Sequence, residues 1–245
     1  MHTIVLATQK GGSGKSTLAI GLAVAAMQDG HTVRLIETDP QGSISNWRRR
    51  RSAAEPIVES INNTGEISLR LQTFDRDGVS LTIIDTAGTV NALTAAAIRA
   101  ADLCLIPARP SPADIEATAA TLGVVRASDK PFAFVLNQTA FRGRRIHTAA
   151  AKLGDEAALD LSGILALPYI VMRNDHQDAL GAGLAVCEHA PAGKSADEIR
   201  DLWHWVENKL TGAPAHEQPA DFHAGSGVRP TMYVSTSTQP PAIGR

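Results

Sequence analysis

The segment at residues 8–17, TQKGGSGKST, limits what this chain can fold into more than any other part of its sequence. A short β-branched run, HTIVLAT, leads into the glycines, and the periodic apolar stretch STLAIGLAVAAMQDG follows them. This order predicts a strand, a loop and a helix that ends at Gly30. It places Gly14, Lys15 and Ser16 at the start of the helix, where free backbone N–H groups and the helix dipole favour an anion. The segment therefore predicts a phosphate-binding loop.

The predicted loop would bind ATP and Mg²⁺. Its backbone N–H groups would point into a concavity, Lys15 would reach the β- and γ-phosphates, and the Ser16 hydroxyl would ligate Mg²⁺. Thr17 could touch the α-phosphate. The expected nucleotide-binding residues of the loop are Gly11, Gly12, Ser13, Gly14, Lys15, Ser16 and Thr17. Two positions depart from the usual G-x-x-x-x-G-K-[ST] pattern, because Gln9 stands in place of the first glycine and Lys10 follows it.

The remaining apolar runs predict an α/β fold. Clear strands are expected at HTVRLIETD, LTIIDTAG, ADLCLIPARP and KPFAFVLNQ, with less distinct strands at GILALPY and GLAVCEH. Helices are expected at residues 91–101 and 112–127, whereas residues 52–79 give no clear pattern. The strand runs are almost continuously apolar, which is typical of strands covered on both faces. We therefore expect a doubly wound, mostly parallel sheet with helices on both faces, the fold of P-loop NTPases.

The sequence SADEIRDLWHWVENKL at residues 195–210 predicts a closing helix. Ser195 is expected to cap this helix, with Glu198 as its capping-box partner. The face that helical spacing predicts to be apolar consists of Ile199, Leu202, Trp203 and Val206. Residues 211–245 are rich in proline, glycine, serine and threonine, so we expect a flexible tail after a single ATPase domain at residues 1–210.

Composition and charge exclude several classes of function. The net charge of −2 gives no whole-chain signal for nucleic-acid binding, so any such surface would be a local patch. The two cysteines, Cys104 and Cys187, lie in apolar runs and are interpreted as buried free thiols, too few for an iron–sulfur or zinc site. No run approaches about 18 apolar residues, so no membrane span is expected. No export signal precedes the first strand, and we expect a cytoplasmic protein.

The form K-G-G-x-G-K-[ST] that begins at Lys10 resembles the deviant Walker-A loop of the ParA/MinD family of P-loop ATPases. Lys10 matches the signature lysine of that family. Gly11 and Gly12 carry the backbone flexibility of the loop, so Gln9 is no defect. In the family, the signature lysine of one subunit reaches the nucleotide that the other subunit binds. The resemblance therefore implies a homodimer in the ATP-bound state and catalytic roles for Lys10 and Lys15.

Further segments resemble the family in its order. ETDPQGSISNW looks like switch I and implies that Asp39 is a catalytic residue near the γ-phosphate, orienting the attacking water or contacting Mg²⁺ through water. LTIIDTAG looks like Walker B and switch II, which implies that Asp85 holds Mg²⁺ through water. FVLNQ places Asn137 where the family uses an asparagine amide to read adenine. PYIVMRNDHQDALGAG resembles the adenine side, although Tyr169 stands where relatives often carry an arginine whose role Arg173 could take.

The DPQ-type switch I and the Asn-Gln pair after the fifth strand look like the ParA branch of the family. That likeness implies ATP-bound dimers that bind DNA without sequence preference and are released when a ParB-like or cargo-adaptor protein stimulates hydrolysis. Plasmid or chromosome segregation, or cargo positioning, would be the task, in a nucleoid-associated protein. The mixed charge of the last helix argues against the membrane attachment of the MinD branch. Because the chain starts at the first strand, no N-terminal helix-turn-helix domain is expected.

Two arginine clusters are candidates for contact with DNA. The first contains Arg142, Arg144 and Arg145, which Arg173 could join, and the second is the run at residues 48–51. Charge runs of this kind can also be solvated helix faces, or can bind a protein partner. Two other functions stay open from the sequence, namely a metabolic P-loop enzyme that activates a carboxylate with ATP and a regulatory ATPase that acts only on proteins.

Overall fold

The computed structural model describes residues 1–141, 144–158 and 163–213. Its centre is a parallel sheet of six strands in the order β3-β2-β4-β1-β5-β6. The strands are β1 (His2–Leu6), β2 (Val33–Glu37), β3 (Ile57–Ser60), β4 (Leu81–Asp85), β5 (Leu103–Ala108) and β6 (Phe132–Leu136). This arrangement confirms the predicted parallel α/β fold.

Helices cover both faces of the sheet. They are α1 (Lys15–Gln28), α2 (Ser43–Arg50), α3 (Thr64–Arg76), α4 (Ala92–Ala100), α5 (Pro112–Glu116), α6 (Thr118–Ala127), α7 (Arg144–Ala157), α8 (Asp175–Gly181), α9 (Val186–His189) and α10 (Lys194–Thr211). Ile4 and Leu6 pack with the layer that contains α1 and α10, while Val5 packs with the layer that contains α3 and α4. Because neighbouring residues of one strand are buried on opposite faces, the strand sequences are continuously apolar.

Most predicted elements are present, and the exceptions are instructive. The short edge strand β3 lies in the region that gave no clear pattern, since its four residues are partly exposed and carry little apolar signal. The predicted strand GLAVCEH is wrong, because residues 186–189 form α9. Residues 163–169 contribute only a bridge between Leu165 and Phe134. Residues 112–127 form two helices, α5 and α6, rather than one.

The closing helix α10 has the predicted buried face but not the predicted cap. Ile199, Leu202, Trp203 and Val206 are all buried. The helix begins one residue before Ser195, and its N-cap position is Gly193. The Ser195 hydroxyl instead donates to Asp175 at 2.7 Å, and Glu198 accepts hydrogen bonds from Arg173 and from the Val171 backbone. Ser195 and Glu198 therefore form hydrogen bonds with residues outside α10, and not with the backbone of the helix as the capping-box pattern predicts.

Further expectations concern a helix end, the cysteines and the tail. Gly30 ends α1 with φ +91°, as predicted. Both cysteines are buried free thiols. The predicted tail lies outside the described residues from position 214 onward. Within the ranges that the structure describes, no helix is long and apolar enough to cross a bilayer.

Candidate nucleotide-binding site

The glycine-rich loop connects β1 to α1 at the carboxyl edge of the sheet. Gly12 and Gly14 have φ of +76° and +90°, conformations that glycine adopts without strain. A Cβ at Gly14 would also come within 2.2 Å of the Asn137 Nδ2, so this position has no room for a side chain. The Ser13 hydroxyl and the Lys15 Nζ donate to the Lys10 carbonyl at 3.3 and 3.2 Å. Two side chains of the loop are therefore held by the same backbone carbonyl at its start.

Lys15 is a buried cation at the start of α1. Burial lowers the pKa of Lys15, and the nearby carboxylates of Asp85 and Asp39 oppose that change. Among the described residues, the Lys15 ammonium donates to the Lys10 backbone carbonyl rather than to either carboxylate. A buried ammonium with incomplete compensation favours an anionic ligand. This environment fits the predicted contact between Lys15 and phosphate.

Asp85 ends β4, which pairs directly with β1, and its carboxylate meets the start of α1. Its Oδ2 accepts a hydrogen bond from the Ser16 hydroxyl at 2.6 Å. Burial raises the pKa of Asp85 to about 7, although the Ser16 hydrogen bond and the Lys15 charge act in the opposite direction. Among the described residues its Oδ1 has no hydrogen-bond partner. A buried, under-coordinated carboxylate beside a hydroxyl fits a hydrated Mg²⁺, which takes few protein ligands and keeps several waters.

The segment after β2 lies beside Asp85, because Glu37 and Asp85 are register partners in the sheet. The half-buried Asp39 accepts a hydrogen bond from the Gln41 backbone at 3.0 Å. Glu37 is buried and accepts from the Ile44 backbone at 2.6 Å, which fixes the first turn of α2. Glu37 was not among the site residues predicted from the sequence. An acidic residue at the buried end of a strand was the available signal, since such a carboxylate must find donors nearby.

The segment after β4 approaches the phosphate loop closely. A Cβ at Gly88 would lie 3.3 Å from the backbone nitrogen of Gly11. The Thr86 hydroxyl donates to the Leu6 carbonyl at 2.8 Å, and the Thr38 hydroxyl donates to the Asp85 carbonyl at 3.0 Å. The ends of β1, β2 and β4 are thus tied together at one edge of the sheet. The residues predicted to hold phosphate and Mg²⁺ converge there.

On the other side of the loop, Asn137 follows β6 and is buried. Its Nδ2 donates to the Ser13 carbonyl at 2.8 Å, and the Gln138 Nε2 donates to the Gly12 carbonyl at 2.9 Å. A pocket of about 110 Å³ opens beside them, with lining residues Gly14, Thr17, Leu18, Asn137, Gln138, Ile170, Val171, Met172, Arg173, His176 and Gln177. The contact of Asn137 with adenine stays a prediction, because the amide nitrogen holds the loop in this structure.

The arginines proposed for DNA contact have different environments. Arg144 and Arg145 are exposed at the start of α7, and Arg142 lies outside the described residues. Arg173 lines the pocket and forms an ion pair of 2.7 Å with Glu198. Their contact with DNA stays a prediction.

The run at residues 48–51 is only partly a surface. Arg49 and Arg50 are exposed, but the Arg51 side chain is 2% exposed and ion-paired with Glu188 at 2.7 Å. The interpretation of the whole run as a solvated or DNA-binding cluster is therefore wrong for Arg51. The physical reason is that α2 ends at Arg50, and the backbone of Arg51 is extended (φ −76°, ψ 128°), so its side chain leaves the helix surface and reaches Gly183 and Glu188.

These features together define a P-loop NTPase. The first strand leads through a glycine loop into α1, and an aspartate at the end of the adjacent strand contacts the serine that follows the loop lysine. The family model described as the CobQ/CobB/MinD/ParA nucleotide binding domain matches residues 4–186. The chain belongs to that family, which confirms the resemblance found in the sequence.

Two curated relatives resemble this chain over different lengths. Maintenance of carboxysome distribution protein A of Halothiobacillus neapolitanus is 28% identical over 216 residues, which cover 83% of this chain and 95% of that protein. The chromosome-partitioning ATPase Soj of Thermus thermophilus is 35% identical over 136 residues, which cover 51% of this chain and 53% of that protein. These relatives identify the chain as a ParA-like ATPase of the partition and positioning type, as the motifs predicted.

Solved structures give the same fold. Apo McdA of Cyanothece superposes with a TM-score of 0.64 at 20% identity and covers 82% of this chain and 99% of its own. MinD of Aquifex aeolicus superposes with a TM-score of 0.67 at 16% identity and covers 85% of this chain and 98% of its own. At these identities the likeness concerns the fold alone.

Proposed function

We propose that this protein hydrolyses ATP with Mg²⁺ and uses the cycle to switch a homodimer on and off DNA. The observation that carries the proposal is the contact between Ser16 and the buried Asp85, one of whose oxygens has no partner among the described residues. Beside this contact lies the buried Lys15, whose charge the structure leaves incompletely compensated. Together they form a site for a metal-bound polyphosphate.

The residues of the site would divide the work of hydrolysis. Lys15 binds the β- and γ-phosphates, Ser16 ligates Mg²⁺, and Asp85 holds the metal through water. Asp39 orients the attacking water. Mg²⁺, when bound, neutralises charge on the β- and γ-phosphate oxygens. Lys10, half-buried at the loop, reaches the nucleotide of a second copy, so ATP is held between two chains.

The proposed DNA surface includes the exposed start of α7. Arg144 and Arg145, with Arg142 and Arg173, would contact phosphates of duplex DNA without reading bases. A ParB-like or cargo-adaptor protein would stimulate hydrolysis and release the dimer from the nucleoid in the cytoplasm. The similarity to a carboxysome-distribution protein and to a chromosome-partitioning ATPase supports this cycle.

Binding to arbitrary duplex DNA tests the proposal. The protein is measured at low and moderate salt without nucleotide, with ADP, and with ATP plus Mg²⁺. We expect retention only with ATP, lost with added salt and lost in Lys10→Ala and Lys15→Ala. No binding in any state, with ATP turnover intact, would contradict the DNA proposal and favour a metabolic or protein-only role.

A double variant locates the surface. Arg144→Ala with Arg145→Ala should weaken binding to all sequences and flatten the salt dependence by roughly 0.9 per lost phosphate contact. The matched control is Arg76→Ala with Arg99→Ala, two exposed arginines at the ends of α3 and α4. An unchanged salt slope in the α7 variant would remove these arginines from the DNA surface.

A further inference from the structure

The last turn of α2 is joined to the connection between α8 and α9. Trp47 is fully buried, and its Nε1 donates to the Leu184 carbonyl at 3.0 Å. The Arg50 Nε donates to the Leu180 carbonyl at 3.1 Å. Gly183 has φ +72°, and a Cβ there would come within 2.5 Å of the Arg50 carbonyl. The two backbones therefore pack with no space between them, and only glycine fits the contact.

Arg51 closes this contact. Its guanidinium forms two hydrogen bonds of 2.7 Å to the two carboxylate oxygens of Glu188 and one of 3.3 Å to the Gly183 carbonyl. Its Nε donates to the Glu55 carbonyl at 2.7 Å, and the group stacks 5.0 Å from the centroid of the Trp47 ring. Such a fork-to-carboxylate pair fixes orientation as well as distance.

Glu188 is shaped to receive that guanidinium. It also accepts a hydrogen bond from the Ala185 backbone at 2.9 Å. Burial raises the pKa of Glu188, but the hydrogen bonds from Arg51 and Ala185 and the Arg51 charge outweigh burial and lower it overall. The Glu188 carboxylate is therefore charged at neutral pH, and its ion pair with Arg51 joins the end of α2 to α9.

Helices α2 and α8, which the Arg50–Leu180 hydrogen bond joins, begin at different sides of the nucleotide site. Helix α2 follows the segment at residues 39–42, which lies at the predicted γ-phosphate side, and Glu37 fixes its first turn. Helix α8 begins at Asp175, and its residues His176 and Gln177 line the pocket beside Asn137. A short path of packed groups thus runs from the phosphate side to the pocket side.

We propose that Arg51 is a positioning residue that couples the γ-phosphate side of the site to its base side through α2 and α8. The proposal rests on the proposed ATP-binding function. A change in residues 39–42 that accompanies the γ-phosphate would move α2. Arg51 would carry that movement through Glu188 into α9 and through the Gly183 carbonyl into the connection that follows α8. Coupling of this kind requires that ATP and ADP favour different arrangements of the joined elements.

Hydrogen–deuterium exchange on the full chain tests the coupling. Exchange is followed in peptides covering residues 39–51 and 175–188, with Mg²⁺ and either ADP or an ATP analogue that resists hydrolysis. In the natural sequence, both peptides should exchange more slowly with the analogue than with ADP. In Arg51→Lys, the difference at residues 39–51 should persist and the difference at 175–188 should be lost. A lysine keeps the charge but lacks the planar fork that makes two parallel hydrogen bonds to the carboxylate.

Controls separate positioning from folding. Arg49→Lys makes the same chemical change at an exposed position of α2, two residues before Arg51, and should keep both differences. Trp47→Phe removes the indole hydrogen bond to Leu184 together with part of a buried ring, and it leaves the Arg51–Glu188 pair in the chain. It should reduce the difference at residues 175–188 even if Arg51→Lys does not fold. Circular dichroism and the thermal midpoint identify variants that are merely unstable.

Each remaining outcome has a definite meaning. If Arg51→Lys folds and keeps the difference at residues 175–188, the coupling proposal is wrong. If Arg51→Lys does not fold, the proposal is wrong when Trp47→Phe keeps that difference. It is also wrong if the natural sequence shows a difference at residues 39–51 and none at 175–188. If neither nucleotide changes exchange anywhere in the natural sequence, the proposed ATP-binding function fails, and the coupling fails with it.

Discussion

The candidate site has two parts that are built in different ways. They are the phosphate side, predicted to hold the phosphates and Mg²⁺, and the base side, the pocket beside Asn137 that is predicted to hold adenine. On the phosphate side, the loop at residues 10–17 is contiguous in sequence, and Asp85 joins it because β1 and β4 are neighbours in the sheet. On the base side, backbone hydrogen bonds between Thr139 and residues 170–172 bring residues 170–177 close to Asn137, and Glu198 of α10 holds Val171 and Arg173. The role of a contiguous loop can be recognised from a short stretch of sequence. A pocket assembled from separate segments depends on packing contacts far from the ligand.

The largest effect should come from Lys15→Ala. Hydrogen bonds to charged groups contribute about 1.5–3 kcal/mol, so ATP should bind roughly 10- to 100-fold more weakly. The affinity for inorganic tripolyphosphate should fall by the same factor, because the lysine contacts only the phosphates. Isothermal titration calorimetry with both ligands measures this. The thermal midpoint without ligand should not fall, since burial of the ammonium is unfavourable. A loss confined to ATP would place Lys15 outside the phosphate side.

Gly14→Ala should disturb the contact between the phosphate loop and Asn137, where the two sides meet. The added Cβ would clash with Asn137 at a backbone φ of +90°, which should cost about 2–3 kcal/mol of unfolding free energy. Urea denaturation measures the loss. Gly11→Ala is the control, because a Cβ there meets nothing within 4 Å and should change stability by less than about 1 kcal/mol. Equal losses in the two variants would contradict the proposed packing of Asn137 against the loop.

Asn137→Asp should weaken both sides at once. The new carboxylate cannot donate to the Ser13 carbonyl, and leaving that buried acceptor unpaired should cost about 1–3 kcal/mol. Affinity for ATP and for tripolyphosphate should both fall. Gln138→Ala removes the more exposed hydrogen bond to Gly12, so its loss should be about 1 kcal/mol or less. If Asn137→Asp lowers only ATP affinity, the residue reads the base without holding the loop.

Glu198→Gln should give the smallest and most selective effect. Removing the charge loosens Arg173 and the Val171 backbone, at a cost of about 1 kcal/mol of unfolding free energy. We expect at most about a fivefold loss of ATP affinity and an unchanged affinity for tripolyphosphate, because only the pocket side is disturbed. Titration of both ligands into the variant tests the division. A matching loss for tripolyphosphate would mean that the two sides are not separable in this way.

Much of the fold could be predicted from the sequence. The five strands that form the middle and one edge of the sheet are buried on both faces, so each appears as a continuous apolar run. The edge strand β3 and the helix α9 could not be assigned in this way. The first is short and half exposed, and the second is a four-residue helix whose apolar residues pack between larger elements.

The residues of the candidate site and its surroundings likewise differ in how well the sequence predicts them. The positions of Lys15, Ser16 and Asp85 were predictable, because a strand, a loop and a neighbouring strand fix them. Glu37 gave only a weak signal. The burial of Arg51 gave none, since it depends on Glu188, which is 137 residues away in the chain.

The sequence alone determined the parallel α/β fold, the phosphate loop and the membership of the ParA/MinD family. Those properties follow from local glycine conformations, helix termini and strand hydrophobicity, all of which act between near neighbours. Only the tertiary structure decided that Ser195 and Glu198 fix the base side rather than cap α10, and that Arg51 joins α2 to α9. Side-chain hydrogen bonds form with whichever donors and acceptors packing brings near, and that choice involves residues too far apart in the chain for a local pattern to record.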